Sequence, residues 1–374
     1  MGSARGVQLP LRPRRAVVAV GNAARSPRRG RIARGLAALF VILSWLYPCL
    51  LLALLLALRS LGERCWVTCL GLYMPRALLL LPLPVFALGL VLLRAYTALL
   101  AQLAALLIAL FPLMGLKIRG RHAAGSQGRT LRVLSYNVDS AHAGYDAVAE
   151  DAFSFDPDLV LIQEISTATG LAERLHTRFP DVHNSGQFVV ASRYPLVESP
   201  PMGVDECASP VCGAHFQRYV IATPLGRIAV YNIHPVSPRE GFRAMRGQGL
   251  SHELLSGRFF EAEHASVLLH NALARDRQLR VSVDRANAER IPVIIGGDTN
   301  LPDLSPTLAH YFASYRDGFR DAGRGFGYTF PAHRSWMRLD RIFASQQLEF
   351  LSFTVGCASS DHRCVVADLQ LTPP

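Results

Sequence analysis

The chain has 374 residues, of which 50% are hydrophobic, with a mean hydropathy of +0.22 and a formal net charge of +11. This composition indicates a membrane segment joined to one or two soluble domains. Residues 1–119 hold 15 Lys and Arg against the single acid Glu63, whereas residues 120–374 hold 24 Lys and Arg against 27 acids. The second part is therefore slightly acidic, which disfavours a nonspecific nucleic-acid binder, because such proteins depend on Lys and Arg for phosphate contacts.

The first 34 residues form an Arg-rich tail. They hold nine arginines and no acid, together with several Pro, Gly and Ser, so they lack the apolar residues of a core and are expected to be disordered. A mitochondrial transit peptide has a similar composition and is the competing interpretation. The long apolar run that follows argues against it.

Two apolar blocks follow the tail and predict a membrane domain over residues 35–118. Residues 35–58 carry no charge and exceed the roughly 20 residues that cross a bilayer, so they predict a transmembrane helix. Residues 77–116 are interrupted only by Arg94 and divide into two stretches of near-bilayer length. Two prolines weaken the first of these stretches, so three spans are expected and two spans are the alternative.

The topology follows from the charges that flank these spans. The arginines of the tail favour a cytoplasmic N-terminus, and three crossings then place the rest of the chain outside the cytoplasm. Basic residues after the first and last spans oppose this assignment. Cys207 with Cys212, and Cys357 with Cys364, form close pairs that suit disulfides in an oxidising compartment. Four ordinary buried thiols are the alternative.

Strand patterns alternate with helical patterns over residues 130–372, which predicts an α/β domain. Residues 131–136 alternate apolar and polar side chains, as a half-buried strand does. Residues 159–162 and 293–295 are continuously apolar, which is typical of buried strands. Residues 264–290 give the clearest amphipathic helix.

Polar side chains recur where the predicted strands end. A carboxylate such as Glu164 at the end of an apolar strand costs several kcal/mol if it is left unpaired, so it requires a cation or strong donors. Asp298 follows two glycines, whose missing side chains let backbone or ligand approach closely. A simple Gly-Asp turn is the alternative for Asp298, and a structural role is the alternative for His234. The residues at strand ends are Asn137, Glu164, His234, Asp298, Asn300, Asp340, Asp361 and His362.

In this order the eight residues resemble the endonuclease/exonuclease/phosphatase superfamily. The resemblance covers about residues 130–371 and rests on six ordered phrases, each of which is weak alone. The phrases are Ser135–Val138, Asp158–Glu164, Asn232–His234, Gly297–Asn300, Leu339–Phe343 and Ser360–His362. Thr299 stands where Phe is usual, and Arg341 stands where His is common, but neither departure removes a functional group.

The resemblance implies a four-layer α/β sandwich of two facing β-sheets flanked by helices, here preceded by transmembrane helices. It also implies Mg²⁺ or Mn²⁺, with Glu164 as the principal ligand and Asn137 and Asp361 supporting the metal and phosphate. Oxygen ligands suit such hard cations. Arg218 is expected to face the phosphate of the substrate together with Asn137, although an Arg at a strand edge is more often a solvated residue.

The remaining roles that the resemblance implies concern water attack on a phosphoryl group. Asp298 would orient or deprotonate the water, and Asn300 would hold a phosphoryl oxygen. His362 would stabilise the developing charge, oriented by Asp340, and His234 would be a second phosphate contact or a general acid. Phosphoryl transfer asks for these residue types because it depends mostly on positioning and charge neutralisation.

The resemblance does not name the substrate, since the superfamily contains nucleases, sphingomyelinases and several kinds of phosphatase. A slightly acidic domain tethered outside a bilayer is better placed for a lipid-linked phosphate or pyrophosphate than for DNA. The arrangement also resembles membrane-anchored bacterial members of the superfamily, which implies a substrate such as undecaprenyl pyrophosphate. The expected protein is therefore a multi-pass phosphoesterase of the cell membrane. The alternatives are an extracytoplasmic nuclease, a sphingomyelinase-like phospholipase and a catalytically idle binding module.

Overall fold

Two β-sheets face each other in the computed structural model of this chain, which describes residues 27–118, 128–165, 169–199, 215–246 and 262–372. Helices cover the outer surface of each sheet, and apolar helices from the N-terminal part pack beside the domain. The predicted four-layer α/β sandwich is confirmed.

Twelve strands lie within the described residues. They are β1 (Leu131–Asn137), β2 (Leu159–Gln163), β3 (Asp181–Ser185), β4 (Phe188–Ser192), β5 (Leu196–Glu198), β6 (Phe216–Thr223), β7 (Gly226–Ile233), β8 (Val293–Asp298), β9 (Arg316–Asp317), β10 (Asp340–Ala344), β11 (Leu348–Gly356) and β12 (Cys364–Leu371). One sheet has the order β11-β12-β1-β2-β4-β3, and the other has the order β5-β6-β7-β8-β10-β9. The sequence patterns do not predict β3, β5 or β9, because β3 is polar and the other two are very short.

The helices fall into an N-terminal group and a group that covers the sheets. The first group is α1 (Pro27–Ser60), α2 (Trp66–Tyr73), α3 (Pro82–Leu92) and α4 (Leu99–Ile108). The second group is α5 (Tyr145–Ser154), α6 (Thr169–His176), α7 (Arg239–Arg246), α8 (Ala262–Asn287), α9 (Pro306–Tyr311) and α10 (Gly318–Ala322). The amphipathic helix predicted over residues 264–290 is α8, which ends three residues earlier than expected.

The apolar residues of the strands divide between the layers with the period of two that a strand imposes. Val133 of β1 and Ile294 of β8 lie in the core between the sheets, whereas Leu134 packs beneath α5 and α6. Leu279 of α8 packs on the outer face of the second sheet. Residues 159–162 are buried on both faces of their sheet, which explains why β2 is continuously apolar.

Two helices among the described residues are long and apolar enough to cross a membrane, namely Arg34–Ser60 and Tyr96–Leu113. The expected middle span corresponds to Arg76–Leu92, which is bent by 88° from α2. These two pieces supply a third span only if the bent pair is counted as one. Pro82 is the first residue of α3, a position where proline costs no helical hydrogen bond.

The boundary of the Arg-rich tail differs from the prediction. Helix α1 begins at Pro27, so residues 27–34 are helical rather than disordered as expected. Arginine is a good helix former, and the apolar turns that follow supply the packing that sustains the helix. The rest of the tail, residues 1–26, lies outside the described residues.

The close approach of β7 and β8 depends on Gly297, whose φ is +149°. An added Cβ would lie 1.9 Å from the carbonyl oxygen of Ile233. We expect Gly297→Ala to lower the free energy of unfolding by about 3 kcal/mol or more, because it combines a clash with backbone strain. Urea denaturation measures the loss. Gly325→Ala is the control, since Gly325 has a φ of +82° and no atom within 4 Å of an added Cβ. Equal losses in both variants would contradict the close contact.

Candidate active site

Six strands deliver polar side chains to one edge of the two sheets. β1 runs parallel to β2, and β7 runs parallel to β8, so each pair ends at one edge. β12 runs antiparallel to β1, and β10 runs antiparallel to β8, so these strands begin where their partners end. The structure therefore brings together all eight residues singled out at strand ends. They are Asn137, Glu164, His234, Asp298, Asn300, Asp340, Asp361 and His362.

Asp298 lies at the centre of this cluster and is only 1% exposed. Its Oδ2 accepts a hydrogen bond from Asn137 Nδ2 at 3.2 Å, and its Oδ1 accepts one from the backbone N–H of Asn300 at 2.7 Å. The Nε2 atoms of His234 and His362 lie 3.8 and 3.7 Å from Oδ2. Burial raises the pKa of Asp298 above its ordinary value, although both histidines oppose the rise. A buried carboxylate with a raised pKa suits a proton acceptor.

His362 is paired with Asp340 through a 2.8 Å contact between Nδ1 and Oδ2. The ring of His362 also packs against Phe330, with the ring centroids 4.6 Å apart. Burial alone would lower the pKa of His362, but the carboxylates of Asp340 and Asp298 raise it to about 10. His362 is therefore a buried cation at neutral pH, as stabilisation of a developing negative charge requires.

His234 lies between Glu164 and Asp298 within the cluster. Its Nε2 lies 3.0 Å from Glu164 Oε1, and its Nδ1 lies 2.6 Å from Gln187 Oε1. Burial disfavours the charged form of Glu164, but the neighbouring His234 ring lowers the pKa of the carboxyl to about 2. Glu164 is thus ionised across the physiological range. Gln187 was not found from the sequence, because it lies in the tight turn between β3 and β4 and carries no motif.

Asn300 has a structural contact that was not expected. Its backbone has a φ of +51°, a conformation that Asn tolerates better than most residues. Its side-chain Nδ2 donates to the carbonyl oxygen of Pro235 at 2.9 Å. The amide nitrogen therefore joins the loop after β7 to the loop after β8 through one of its two N–H groups, and its contact with a phosphoryl oxygen stays a prediction.

The donor set fits a hard divalent cation. Glu164, His234 and Asp298 offer ligand atoms within 4.8 Å of one another, and Asp298, Asp340 and His362 form a second such group. One carboxylate oxygen of Asp340 is buried without a hydrogen-bond partner, which is costly unless a positive charge lies nearby. The two groups share Asp298.

Of the three predicted metal ligands, Asn137 is hydrogen-bonded inside the cluster and Asp361 lies at its rim. Asn137 hydrogen-bonds to Asp298, and its own side-chain oxygen accepts from the N–H of Asp139 at 3.1 Å. The side chain of Asp361 is 32% exposed at the rim of the cluster, where Arg239 Nη2 lies 3.6 Å from its Oδ2. Burial and the charge of Glu164 both raise the pKa of Asp361. A bound cation would relieve this repulsion between carboxylates.

The structure corrects the expectation that Arg218 faces the phosphate. Its guanidinium forms ion pairs with Glu198 at 2.8 Å and with Glu289 at 2.5 Å. Glu289 follows α8, so Arg218 points to the helical layer on the outer face of its sheet. Among the described residues, Arg239 is the Lys or Arg that forms an ion pair with the cluster, and the sequence analysis did not single it out.

A disulfide joins Cys357 to Cys364, whose Cα atoms lie 5.3 Å apart. The hypothesis that this pair is bonded is therefore confirmed. The bond closes a short loop around Asp361 and His362, and it fixes the segment that carries them. The second predicted pair, Cys207 and Cys212, lies outside the described residues.

The raised pKa of His362 predicts how stability depends on pH. Because the pKa rises from 6.5 to about 10 on folding, the stabilisation by protonated His362 is complete below pH 6.5 and is lost as pH rises toward 10. Urea denaturation of wild type and His362→Gln should therefore give a stability difference that shrinks between pH 7 and 10. His333→Gln, at an exposed histidine, is the control. A difference that grows with pH would contradict the buried cation.

No curated protein matches the chain. Similar solved structures include an endonuclease/exonuclease/phosphatase from Beutenbergia cavernae, with 18% identity over 65% of this chain and 72% of that chain and a TM-score of 0.44. A humanized D. rerio TDP2 is 18% identical over 64% of this chain and 99% of that chain, with a TM-score of 0.47. A Bacteroides thetaiotaomicron mannosyl-6-phosphatase is 16% identical over 64% of this chain and 99% of that chain, with a TM-score of 0.45. The model of the endonuclease/exonuclease/phosphatase family matches residues 134–362, which include the whole cluster from Asn137 to His362. The chain belongs to this family.

Proposed function

We propose that the chain is a membrane-anchored phosphoesterase that uses Mg²⁺ or Mn²⁺ to hydrolyse a phosphate ester or pyrophosphate carried by a lipid. Members of its family are hydrolases that act on phosphate esters. One observation carries the lipid part of the proposal. The apolar core of the N-terminal helices continues without a break to the wall of the carboxylate and histidine cluster.

This apolar core extends from α1 and α2 to the residue that precedes Asp340. Leu58 of α1 and Leu72 of α2 belong to the same buried cluster as Leu339, which directly precedes Asp340. Phe330 packs on this cluster and contacts the ring of His362. Because these residues are buried, a substrate would place its hydrocarbon part on the exposed apolar side chains of the same helices, such as Leu52 and Leu56 of α1, where burial of each CH₂ contributes about 0.8 kcal/mol.

The arrangement of the helices supports three crossings. Gln102 Nε2 of α4 donates to the carbonyl oxygen of Ser44 in α1 at 2.9 Å. Arg59, near the end of α1, and Phe111, three residues after α4, line one cleft. α1 and α4 are therefore parallel. If both cross a bilayer, the segment between them must cross back, which places the N-terminus and the catalytic domain on opposite sides. The Arg-rich tail then favours an extracytoplasmic catalytic domain, and the disulfide suits that compartment.

A reporter that is active only in the cytoplasm tests this topology when it is fused to the C-terminus. We expect no signal from the full-length fusion, because an odd number of crossings leaves the C-terminus outside. The same reporter fused after Ser60 should also give no signal, and fusion after Leu93 should give a strong one. A strong signal from the full-length fusion would contradict the extracytoplasmic assignment.

The cluster divides the chemistry among its residues. A divalent cation, held by Glu164 with Asn137 and Asp361, would supply charge neutralisation at the phosphoryl oxygens. Asp298 is buried with a raised pKa, and it would take the proton of the attacking water. His362 carries a positive charge held in place by Asp340, so it would stabilise charge that develops in the transition state.

The charge of the domain disfavours DNA as the substrate. Residues 120–374 hold three more acids than Lys and Arg together, whereas a DNA-binding groove needs several cations along the phosphate backbone. Arg239 is the only Lys or Arg with an ion pair to the cluster among the described residues. One cation suits a single phosphate group better than a polynucleotide.

Hydrolysis by the full-length protein in detergent micelles tests the proposed function. With Mg²⁺ or Mn²⁺, we expect turnover of a prenyl pyrophosphate and little turnover of sphingomyelin or plasmid DNA. Glu164→Gln and Asp298→Asn should each reduce the rate by about a thousandfold or more, because each removes a charge that the reaction uses. Glu289→Gln removes an ion-paired carboxylate on the outer face and should keep wild-type activity. Preferred cleavage of DNA, or full activity of Glu164→Gln, would contradict the proposal.

The contact between His362 and Asp340 predicts coupled effects on rate. Asp340→Asn removes the charge that holds His362 protonated, and His362→Ala removes the group that Asp340 orients. The double variant should therefore lose less activity than the product of the two single losses. Initial rates at saturating metal measure the four proteins. Strictly additive losses in the logarithm of kcat would show that the two residues act independently.

A further inference from the structure

The helical bundle contributes a side chain to the support of the catalytic loops. Tyr73 is the last residue of α2 and is 7% exposed. Its hydroxyl donates to the carbonyl oxygen of Asn300 at 2.8 Å and accepts a hydrogen bond from Arg275 Nη1 at 3.1 Å. A residue of the candidate membrane segment is thus bonded to the loop that follows Asp298.

Arg275 extends the same connection to the neighbouring loop. It lies in α8, is 1% exposed, and donates from Nε to the carbonyl oxygen of Val236 at 3.0 Å. Val236 follows His234 by two residues, and the Asn300 side chain holds the carbonyl of Pro235 in between. The Tyr73 hydroxyl therefore closes a network that fixes the loops after β7 and β8 relative to each other.

The position of Tyr73 is itself fixed from several directions. Its ring packs edge-on against Phe242 of α7, with the centroids 4.9 Å apart. Its backbone carbonyl oxygen accepts a hydrogen bond from Trp336 Nε1 at 3.3 Å. A side chain held this way imposes its own position on its hydrogen-bond partner, the backbone carbonyl of Asn300.

We propose that Tyr73 is a positioning residue of the active site, which sets the place of Asp298 and His234 through Asn300 and Arg275. Asn300 is the link, because its N–H holds Asp298 Oδ1 at 2.7 Å while its carbonyl is held by Tyr73. The N-terminal helices are therefore part of the catalytic architecture as well as an anchor.

The test compares Tyr73→Phe with Tyr47→Phe in the full-length protein. Tyr47 also donates its hydroxyl to a backbone carbonyl, that of Leu79, within the same bundle but away from the catalytic loops. We expect Tyr73→Phe to lower kcat about tenfold with KM nearly unchanged, since a misplaced catalytic group costs rate and not binding. Tyr47→Phe should keep both constants. Arg275→Lys should lower kcat in the same way, and the double variant with Tyr73→Phe should lose less than the product of the two losses.

Hydrogen–deuterium exchange gives a readout that does not depend on turnover. The peptide spanning residues 298–301 should exchange faster in Tyr73→Phe than in wild type or Tyr47→Phe, because the loop loses a tether. The kinetic arm rests on the proposed phosphoesterase function, and the exchange arm does not. If wild type hydrolyses no phosphate ester, the proposed function fails while exchange still decides the role of Tyr73. Wild-type exchange in Tyr73→Phe, or equal kcat losses in Tyr73→Phe and Tyr47→Phe, would overturn the proposal.

Discussion

The burial of the Asp298 carboxylate is the constraint on which the rest of the site depends. An ionised carboxyl group that is 1% exposed is costly, so its surroundings must supply donors and positive charge. Asn137 and the N–H of Asn300 supply hydrogen bonds, and His362 supplies charge that Asp340 in turn maintains. The two sheets can supply these groups because their parallel strands end, and the neighbouring antiparallel strands begin, at the same edge. The fold and the chemistry are therefore set by the same strand directions.

A second buried charge network supports the loop that follows Asp298. Arg338 and Arg341 are at most 2% exposed and share the carboxylates of Asp303 and Asp317. Arg341 also donates to the carbonyl oxygen of Leu301 at 3.2 Å. Buried ion pairs contribute little net stability but penalise any change of position, because separation leaves a charge unpaired. This role accounts for the buried arginine at position 341.

The sequence predicts the parts of the structure that follow from local pattern. Continuous apolar runs and alternation locate β2 and β8, and the ordered phrases place Glu164 and His362 at strand ends. Contacts between distant segments leave no such pattern. Tyr73 looks like any aromatic residue of an apolar helix, and Gln187 like any polar residue of a turn. Arg218 misleads for the same reason, since its partner Glu289 lies 71 residues away in the chain.

The N-terminal helices contact the active site in two ways. Their apolar core reaches Phe330 beside His362, and their Tyr73 holds the loop of Asn300. The central proposal is that the site hydrolyses a phosphate whose lipid part lies along the exposed apolar side chains of these helices. The most direct measurement is kcat/KM in bilayer discs for prenyl pyrophosphates that share a headgroup and differ in chain length. The structure predicts that kcat/KM rises about tenfold or more from short to long chains, because added CH₂ groups become buried. Equal values for short and long chains would contradict the claim.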